Sequence, residues 1–237
     1  MLFSRTGWWR AVLPALLIGC GSEVAPPTRT ESSAAIGEAR PVEKPAEPPF
    51  QLEDGFERLS FADFAAFSTD ETAPTPWAET TDGLKCSGVP PGYLYSTKPY
   101  QNFTWRLEYR YPRPEKLPDE SKFKGNTGFL VYITGDHKLW PICLEVQGKY
   151  VEMAAIRENG GAQPVTAKDD AEARQKARKP VGEWNALEII SRDGALSVSL
   201  NGTPVSKSEP DFLSEGLIGI QAEKTPFEVR RIRIRRD

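Results

Sequence analysis

Glu145 and Gln147 stand two apart in the run Pro141–Gly148, where Ile142, Leu144 and Val146 alternate with Cys143, Glu145 and Gln147. A strand sends residues i and i+2 to the same face, so the carboxylate and the amide share a polar surface opposite three apolar side chains. A carboxylate so placed could take a proton, and an amide could hold a hydroxyl. The plain alternative is an ion pair, with Glu145 satisfied by an arginine such as Arg106 on a neighbouring strand. Just upstream, His137-Lys138-Leu139-Trp140 enters that strand as a loop, and loops on rigid scaffolds commonly carry chemistry. His137 is the only histidine of the chain, and imidazole is the side chain whose ordinary pKa lies near neutrality. It could act as acid or base, Lys138 could stabilise an anion, and Trp140 offers a flat face. A solvated histidine in a capped turn and a core tryptophan are the competing readings. Asn126, in Gly125-Asn126-Thr127-Gly128, is either a hydrogen-bonding group or a turn residue. Gln221, Glu223 and Lys224 close the penultimate strand and bring further polar groups.

The elements that must position these groups read as strands. Phe103–Tyr111 alternates strictly, with aromatic and aliphatic side chains on one parity and Thr104, Arg106, Glu108 and Arg110 on the other. Period two is the pattern of a sheet with one buried face. Gly128–Thr134 is a mostly apolar strand. Trp184–Ser191 and Ala195–Leu200 form a hairpin about Arg192-Asp193-Gly194, since Asp-Gly suits the backbone of a two-residue hairpin turn. Asn201-Gly202 starts another turn, and Gly216–Ala222 and Phe227–Arg235 close the domain. In the last strand Phe227 and Val229 share one parity and Ile232 and Ile234 the other, so a bulge near Arg230-Arg231 is expected to restore one buried face. The insert Ala167–Lys179 is polar all round and reads as a short surface helix or a loop. Many antiparallel strands and few helices predict an all-β, two-sheet sandwich. No nucleotide-binding loop, dinucleotide glycine fingerprint or internal repeat is present.

Charge and composition narrow the function classes. The 237 residues carry 30 basic and 33 acidic side chains, a net charge of −3, which lacks the positive field that nucleic-acid binding needs. The one basic run, Arg230, Arg231, Arg233, Arg235 and Arg236, is expected to split between two faces of the final strand as a solvated edge. A single histidine excludes multi-histidine metal sites. No metal-ligand spacing is recognisable and no cofactor is expected, although a structural Ca²⁺ held by loop carbonyls and Asp would leave no such signature. Cys86 and Cys143 could be paired or free.

The first 49 residues read as something other than the domain. Arg5 and Arg10 precede the apolar run Ala11–Ile18, too short for a bilayer core that takes about 20 helical residues. A charged start and a short apolar run make a secretory signal over residues 1–19. It ends in Leu17-Ile18-Gly19-Cys20, which matches the bacterial lipobox, so Cys20 is expected to be acylated and to anchor the chain. No Asp follows the cysteine, so the expected location is the cell envelope, on an outer membrane facing the periplasm or the cell surface. Residues 20–49, rich in Pro, Ala and Glu, form a spacer, which leaves 50–237 as the folded domain.

The ordered motifs of that domain resemble the 3-keto-disaccharide hydrolase domain family of exported bacterial proteins, built as a concanavalin-like jelly-roll sandwich. They are Asp82–Gly88 with Gly92-Tyr93-Leu94, Tyr100–Phe103 with Leu107–Arg110, Gly125–Gly128, His137–Gln147, Gly182–Asn185, Leu200–Gly202 and Gly216–Gln221. The resemblance implies cleavage of a glycoside whose sugar ring is oxidised at C3. The ketone acidifies the C2 proton, and the C1 glycosidic oxygen lies beta to the resulting enolate. Such chemistry needs a base, a proton donor for the leaving oxygen and a group that steadies the enolate. Any redox cofactor belongs to the sugar 3-dehydrogenase that makes the ketone. On this reading Glu145, His137 and Lys138 are the catalytic candidates, and Gln147, Trp140, Asn126, Gln221 and Glu223 contact the sugar on a concave sheet face. The competing class is a non-catalytic carbohydrate-binding or surface-display module on the same sandwich.

Overall fold

The computed structural model describes residues 47–210 and 212–237, and residues Pro48–Asp237 form one compact unit. The signal, Cys20 and most of the spacer lie outside the described residues. Along the chain the strands begin with β1 (Glu57–Arg58), β2 (Phe64–Ser68), β3 (Trp77–Thr80), β4 (Gly83–Cys86) and β5 (Gly92–Ser96). They continue with β6 (Phe103–Arg110), β7 (Gly128–Thr134), β8 (Ile142–Gln147), β9 (Ile156–Asn159) and β10 (Ala167–Asp169). After helix α1 (Ala171–Ala177) come β11 (Asn185–Arg192), β12 (Ala195–Leu200), β13 (Thr203–Ser208), β14 (Leu217–Ala222) and β15 (Phe227–Arg236).

Two antiparallel sheets result. One runs β10-β13-β12-β11-β6-β15-β4-β3, with β1 added beside β15; the other runs β2-β5-β14-β7-β8-β9. The alternation of β6 turns Phe103, Trp105, Leu107 and Tyr109 into the space between the sheets. There they meet Phe129 of β7, with ring centroids 6.1 Å from Trp105 and 4.8 Å from Tyr109, both edge to face. Leu94, Val131, Leu144, Val146 and Ile220 complete that interior from the six-stranded side. Burying one such side chain contributes about 2 kcal/mol, so the aromatic seam holds the two sheets in face-to-face register. The turns follow the residue types: Asp193-Gly194 and Asn201-Gly202 both take positive φ, 48° and 86° in the first and 49° and 80° in the second. The expected bulge is present as well. Arg231 adopts φ 53°, and the β15–β6 register shifts between Arg230 and Arg233.

Two expectations are corrected. The final arginines are not a solvated edge, because β15 lies between β6 and β4 in the middle of its sheet. Arg230 and Arg231 both bond Glu108, at 2.8 and 2.9 Å, and Arg233 bonds Glu53 at 2.6 Å. That guanidinium holds the Glu53 carboxyl down at about 2. Arg106 is likewise committed to Glu188 and Glu53, so it is no partner for Glu145, which lies in the other sheet. The expected short surface helix of the 167–179 insert is present, as a strand followed by a seven-residue helix with one buried anchor. Arg174 is buried, donating to the Met153 carbonyl at 2.6 Å and pairing with Asp169.

Candidate active site

The outward face of the six-stranded sheet carries the chemistry-bearing side chains, and the register places them on adjoining rungs. One rung runs Tyr95 (β5), Gly219 (β14), Leu130 (β7), Glu145 (β8), Arg157 (β9). On the next, Phe67 (β2) pairs with Tyr93 (β5) and Tyr93 with Gln221 (β14), while Gly128 (β7) pairs with Gln147 (β8). Residues paired across a ladder project to the same side. Thus the two-residue spacing of Glu145 and Gln147 does place both on the face opposite Leu144 and Val146.

Glu145 is only 8% exposed and packs across β7. Its carboxylate lies over Gly128, where a Cβ would overlap Oε1. The glycine that ends Gly125–Gly128 is therefore required to make room for a carboxylate from the adjacent strand. Burial pushes the Glu145 carboxyl up to about 7, and the negative charge of Glu223 adds to the rise. Arg157, its neighbour on the rung, pulls the other way, but its guanidinium leans toward Glu152 at 3.7 Å. Glu152 also takes Lys149 at 2.5 Å, so Arg157 and Lys149 are both partly neutralised by a third carboxylate.

Glu223, just beyond β14, is raised by burial, while the Asn126 amide and the charges of Lys224 and Lys149 favour its ionised form. The Asn126 backbone N–H donates to Thr225 Oγ1 at 3.3 Å, and the hydroxyl of Thr127 donates to the Gln221 carbonyl at 2.6 Å. These two bonds fasten the Gly125–Gly128 turn to the end of β14 and bring Asn126 beside Glu223. Gln221 is 1% exposed, yet neither its amide nitrogen nor its amide oxygen has a hydrogen-bond partner, and Asn126 Oδ1 is in the same position. An unsatisfied buried polar atom costs about 1–3 kcal/mol, so three of them on one face beside two carboxyls form a surface that a polyhydroxylated ligand would satisfy. Gln147 is half-buried, and its side-chain oxygen accepts from the Lys149 backbone N–H at 2.8 Å.

The His137 loop goes elsewhere. It crosses back over the sheet, so that the imidazole stacks on Tyr95 at 4.0 Å and its Nδ1 lies 2.8 Å from the Tyr93 hydroxyl. Burial raises the Tyr93 phenol to about 12. Tyr95 is three strands from Glu145 on the shared rung, roughly 14 Å between backbones at the usual strand spacing. Lys138 donates to the Gly160 carbonyl at 2.9 Å, fastening the loop, and Trp140 is 42% exposed. Hence Glu145, Glu223, Gln221, Asn126 and Gln147 gather together, whereas His137, Lys138 and Trp140 do not join them. The sequence reading missed Arg157 and Lys149, whose proximity depends on strand pairing. It also missed the aromatic group Phe67, Tyr93 and Tyr95, for which the parity of Tyr93 and Tyr95 in Gly92–Ser96 was an available signal. Cys86 and Cys143 are free and buried, both thiols raised to about 12 by burial. Cys86 faces the interior between the sheets, Cys143 the outward aromatic cluster.

Fold and face together define a jelly-roll sandwich with a polar site on one sheet. The chain belongs to the 3-keto-alpha-glucoside-1,2-lyase-like domain family, whose model matches residues 57–235. Among solved structures it is similar to a protein from Parabacteroides distasonis provisionally named a glycosyl hydrolase, with 21% identity and a TM-score of 0.55, covering 77% of this chain and 99% of that one. A second protein of that organism and provisional name matches at 16% identity and TM-score 0.52, over 74% and 89% of the two chains. A Bacillus subtilis protein with a galectin-like fold matches at 11% identity and TM-score 0.50, over 76% and 98%. These likenesses show the sandwich fold. No curated protein is significantly similar in sequence.

Proposed function

We propose that the protein cleaves 3-keto-glycosides, disaccharides among them, by removing the C2 proton and expelling the C1 substituent. The observation that carries this reading is buried Glu145 facing half-buried Glu223, both carboxyls raised, beside the partnerless amide of Gln221. A carboxyl titrating at about 7 is a stronger base than a solvated one and is still half ionised at neutral pH, the range where general bases work best. Glu145 takes the C2 proton, and the C2–H electrons form an enolate across C2 and C3. The Gln221 amide N–H steadies the developing oxyanion. The C1–O bond then breaks with its electron pair on the leaving oxygen, which takes the proton that Glu145 has just received, while the Glu223 carboxylate keeps Glu145 basic. Water then adds to the unsaturated ring at C1, giving a proton to Glu145, which returns it to C2, so the carboxylate is restored and the net reaction is hydrolysis. Asn126 and Gln147 hold ring hydroxyls. His137 and Lys138, expected from the sequence to join this chemistry, are assigned no step in it.

The test is exchange at C2. In D₂O, a 3-keto-glucoside incubated with the protein takes up deuterium at C2 faster than in buffer alone, and Glu145→Gln abolishes the excess. Exchange at the buffer rate with wild-type protein refutes the base assignment. A carbohydrate-binding module without turnover is the competing reading, and it is the one that result would favour.

The family's exported character and the lipobox at Leu17–Cys20 support a lipid anchor at Cys20, with the domain held off an outer membrane by the Pro-rich spacer. A sugar 3-dehydrogenase in the same compartment would supply the ketone. Cys20→Ala is expected to release the protein from the membrane fraction; persistence there would refute the anchor.

A further inference from the structure

The six-stranded sheet carries a second cluster that this reaction leaves unused. Phe67, Tyr93, Tyr95 and His137 form a contiguous aromatic group at the β2 and β5 side of the face. Phe67 stacks on Tyr93 at 5.2 Å, and His137 stacks on Tyr95 at 4.0 Å. His137 is held from two directions, by that stack and by the Tyr93 hydroxyl at 2.8 Å. Beside it opens a cavity of about 420 Å³, lined by Phe67, Tyr95, His137 and Trp77 together with Asp70 and Thr75. Its polar wall is built as well. Asp70 Oδ1 accepts from the backbone N–H groups of Thr72 and Ala73, at 2.9 and 3.2 Å, and from the Thr72 hydroxyl at 2.7 Å. Those bonds close the loop after β2 into a fixed turn against the aromatic floor.

We propose that this cavity is a subsite for the leaving half of the substrate, a second pyranose ring whose apolar face lies on Phe67 and Tyr95 and whose hydroxyls meet Asp70 and Thr75. The proposal rests on the reaction proposed above. Two observations carry it. First, ligand sites are mostly apolar concavities with a few fixed polar groups, and this one has aromatic side chains on one wall and a carboxylate and a hydroxyl on the other. Second, the cavity and the carboxyl pair share a sheet face. The Glu145 carboxylate lies over Gly128 on β7, two strands from Tyr93 on β5, on which Phe67 stacks, and roughly 10 Å at the usual spacing is about the length of two linked pyranose rings. On this account His137 is a specificity-determining residue for the leaving group, which explains why it stands apart from the carboxyls.

Two measurements separate this proposal from the reaction it rests on. The first is the ratio of kcat/KM for a 3-keto-disaccharide to that for methyl 3-keto-glucoside, which has no second ring. Tyr95→Ala is expected to lower that ratio about tenfold, as loss of an aromatic partner would. Phe67→Ala serves as the second variant should the first fail to fold, and it is expected to lower the ratio in the same direction. A ratio unchanged in a folded variant overturns the subsite and leaves the reaction standing. The second uses the fact that the chain has one histidine, so its imidazole gives a single NMR resonance. Titration of the full-length protein with unoxidised D-glucose is expected to shift that resonance saturably, and Phe67→Ala to weaken the binding. No saturable shift overturns the subsite. A saturable shift without turnover of either keto-substrate refutes the reaction and keeps a sugar-binding cavity.

Discussion

Glu145 is the residue on which the proposed chemistry turns, and its environment makes two linked claims. Its carboxyl is raised from the usual value to about 7 by burial and by Glu223, against Arg157 and with a small push from Glu152. A raised acid binds its proton more tightly in the folded state. The stabilisation is therefore fully present below the unfolded pKa and is lost as pH rises from about 4.5 through about 7. Replacing the side chain by its neutral isostere removes that loss. Urea midpoints of Glu145→Gln and wild type are expected to diverge in favour of the variant between pH 5 and pH 8, by up to about 3 kcal/mol. A difference that stays flat over that range contradicts the raised pKa. If Glu145 is also the base, kcat/KM for a 3-keto-glycoside rises with pH to a plateau above about 7, and an acid limb near the ordinary carboxylate value would remove it from that role. Because the two carboxyls interact, the limb belongs to the pair.

At the scale of elements, the site depends on one glycine and one pairing. β7 can approach β8 with the Glu145 carboxylate between their side chains only because residue 128 has no Cβ. Gly128→Ala is expected to push the carboxylate aside and lower kcat about 100-fold, since a displacement near 1 Å can cost that much. The stability cost of that variant should shrink when combined with Glu145→Ala, because the overlap is with that side chain; additive costs would place the clash elsewhere. Much at this scale was legible in the chain. The alternation of Phe103–Tyr111, the two turn dipeptides and the parity change in the last strand all report local backbone preference, which the structure keeps. Glu145 and Gln147 facing one way follows from the same period of two. What depends on strand order was not legible. The final arginines looked solvated because nothing local reveals that β15 sits between β6 and β4. His137 looked like a partner of Glu145 because only seven residues separate them in the loop and strand, whereas the loop folds back across the sheet to Tyr95.

The whole molecule is a sandwich whose two outer faces do different work. The nine-stranded sheet bears a lattice of paired charges, with Glu108 receiving both Arg230 and Arg231 and all three side chains largely buried. Removing one member leaves charge buried without its partner, so Glu108→Ala is expected to cost about 3 kcal/mol in urea or thermal unfolding without altering substrate preference. A near-neutral stability change would mean that the lattice is held by solvent instead. The six-stranded sheet bears the carboxyl pair, the partnerless Gln221 amide and the aromatic cavity, polar and apolar groups placed where a two-ring sugar could lie. The most direct trial of that account is to give the purified full-length protein 3-keto-trehalose and to follow glucose release, beside Glu145→Gln. Wild-type protein should liberate glucose and the folded variant should not. Saturable binding of the keto-sugar by well-folded wild-type protein, with no glucose released, would contradict the account and leave a carbohydrate-binding sandwich in its place.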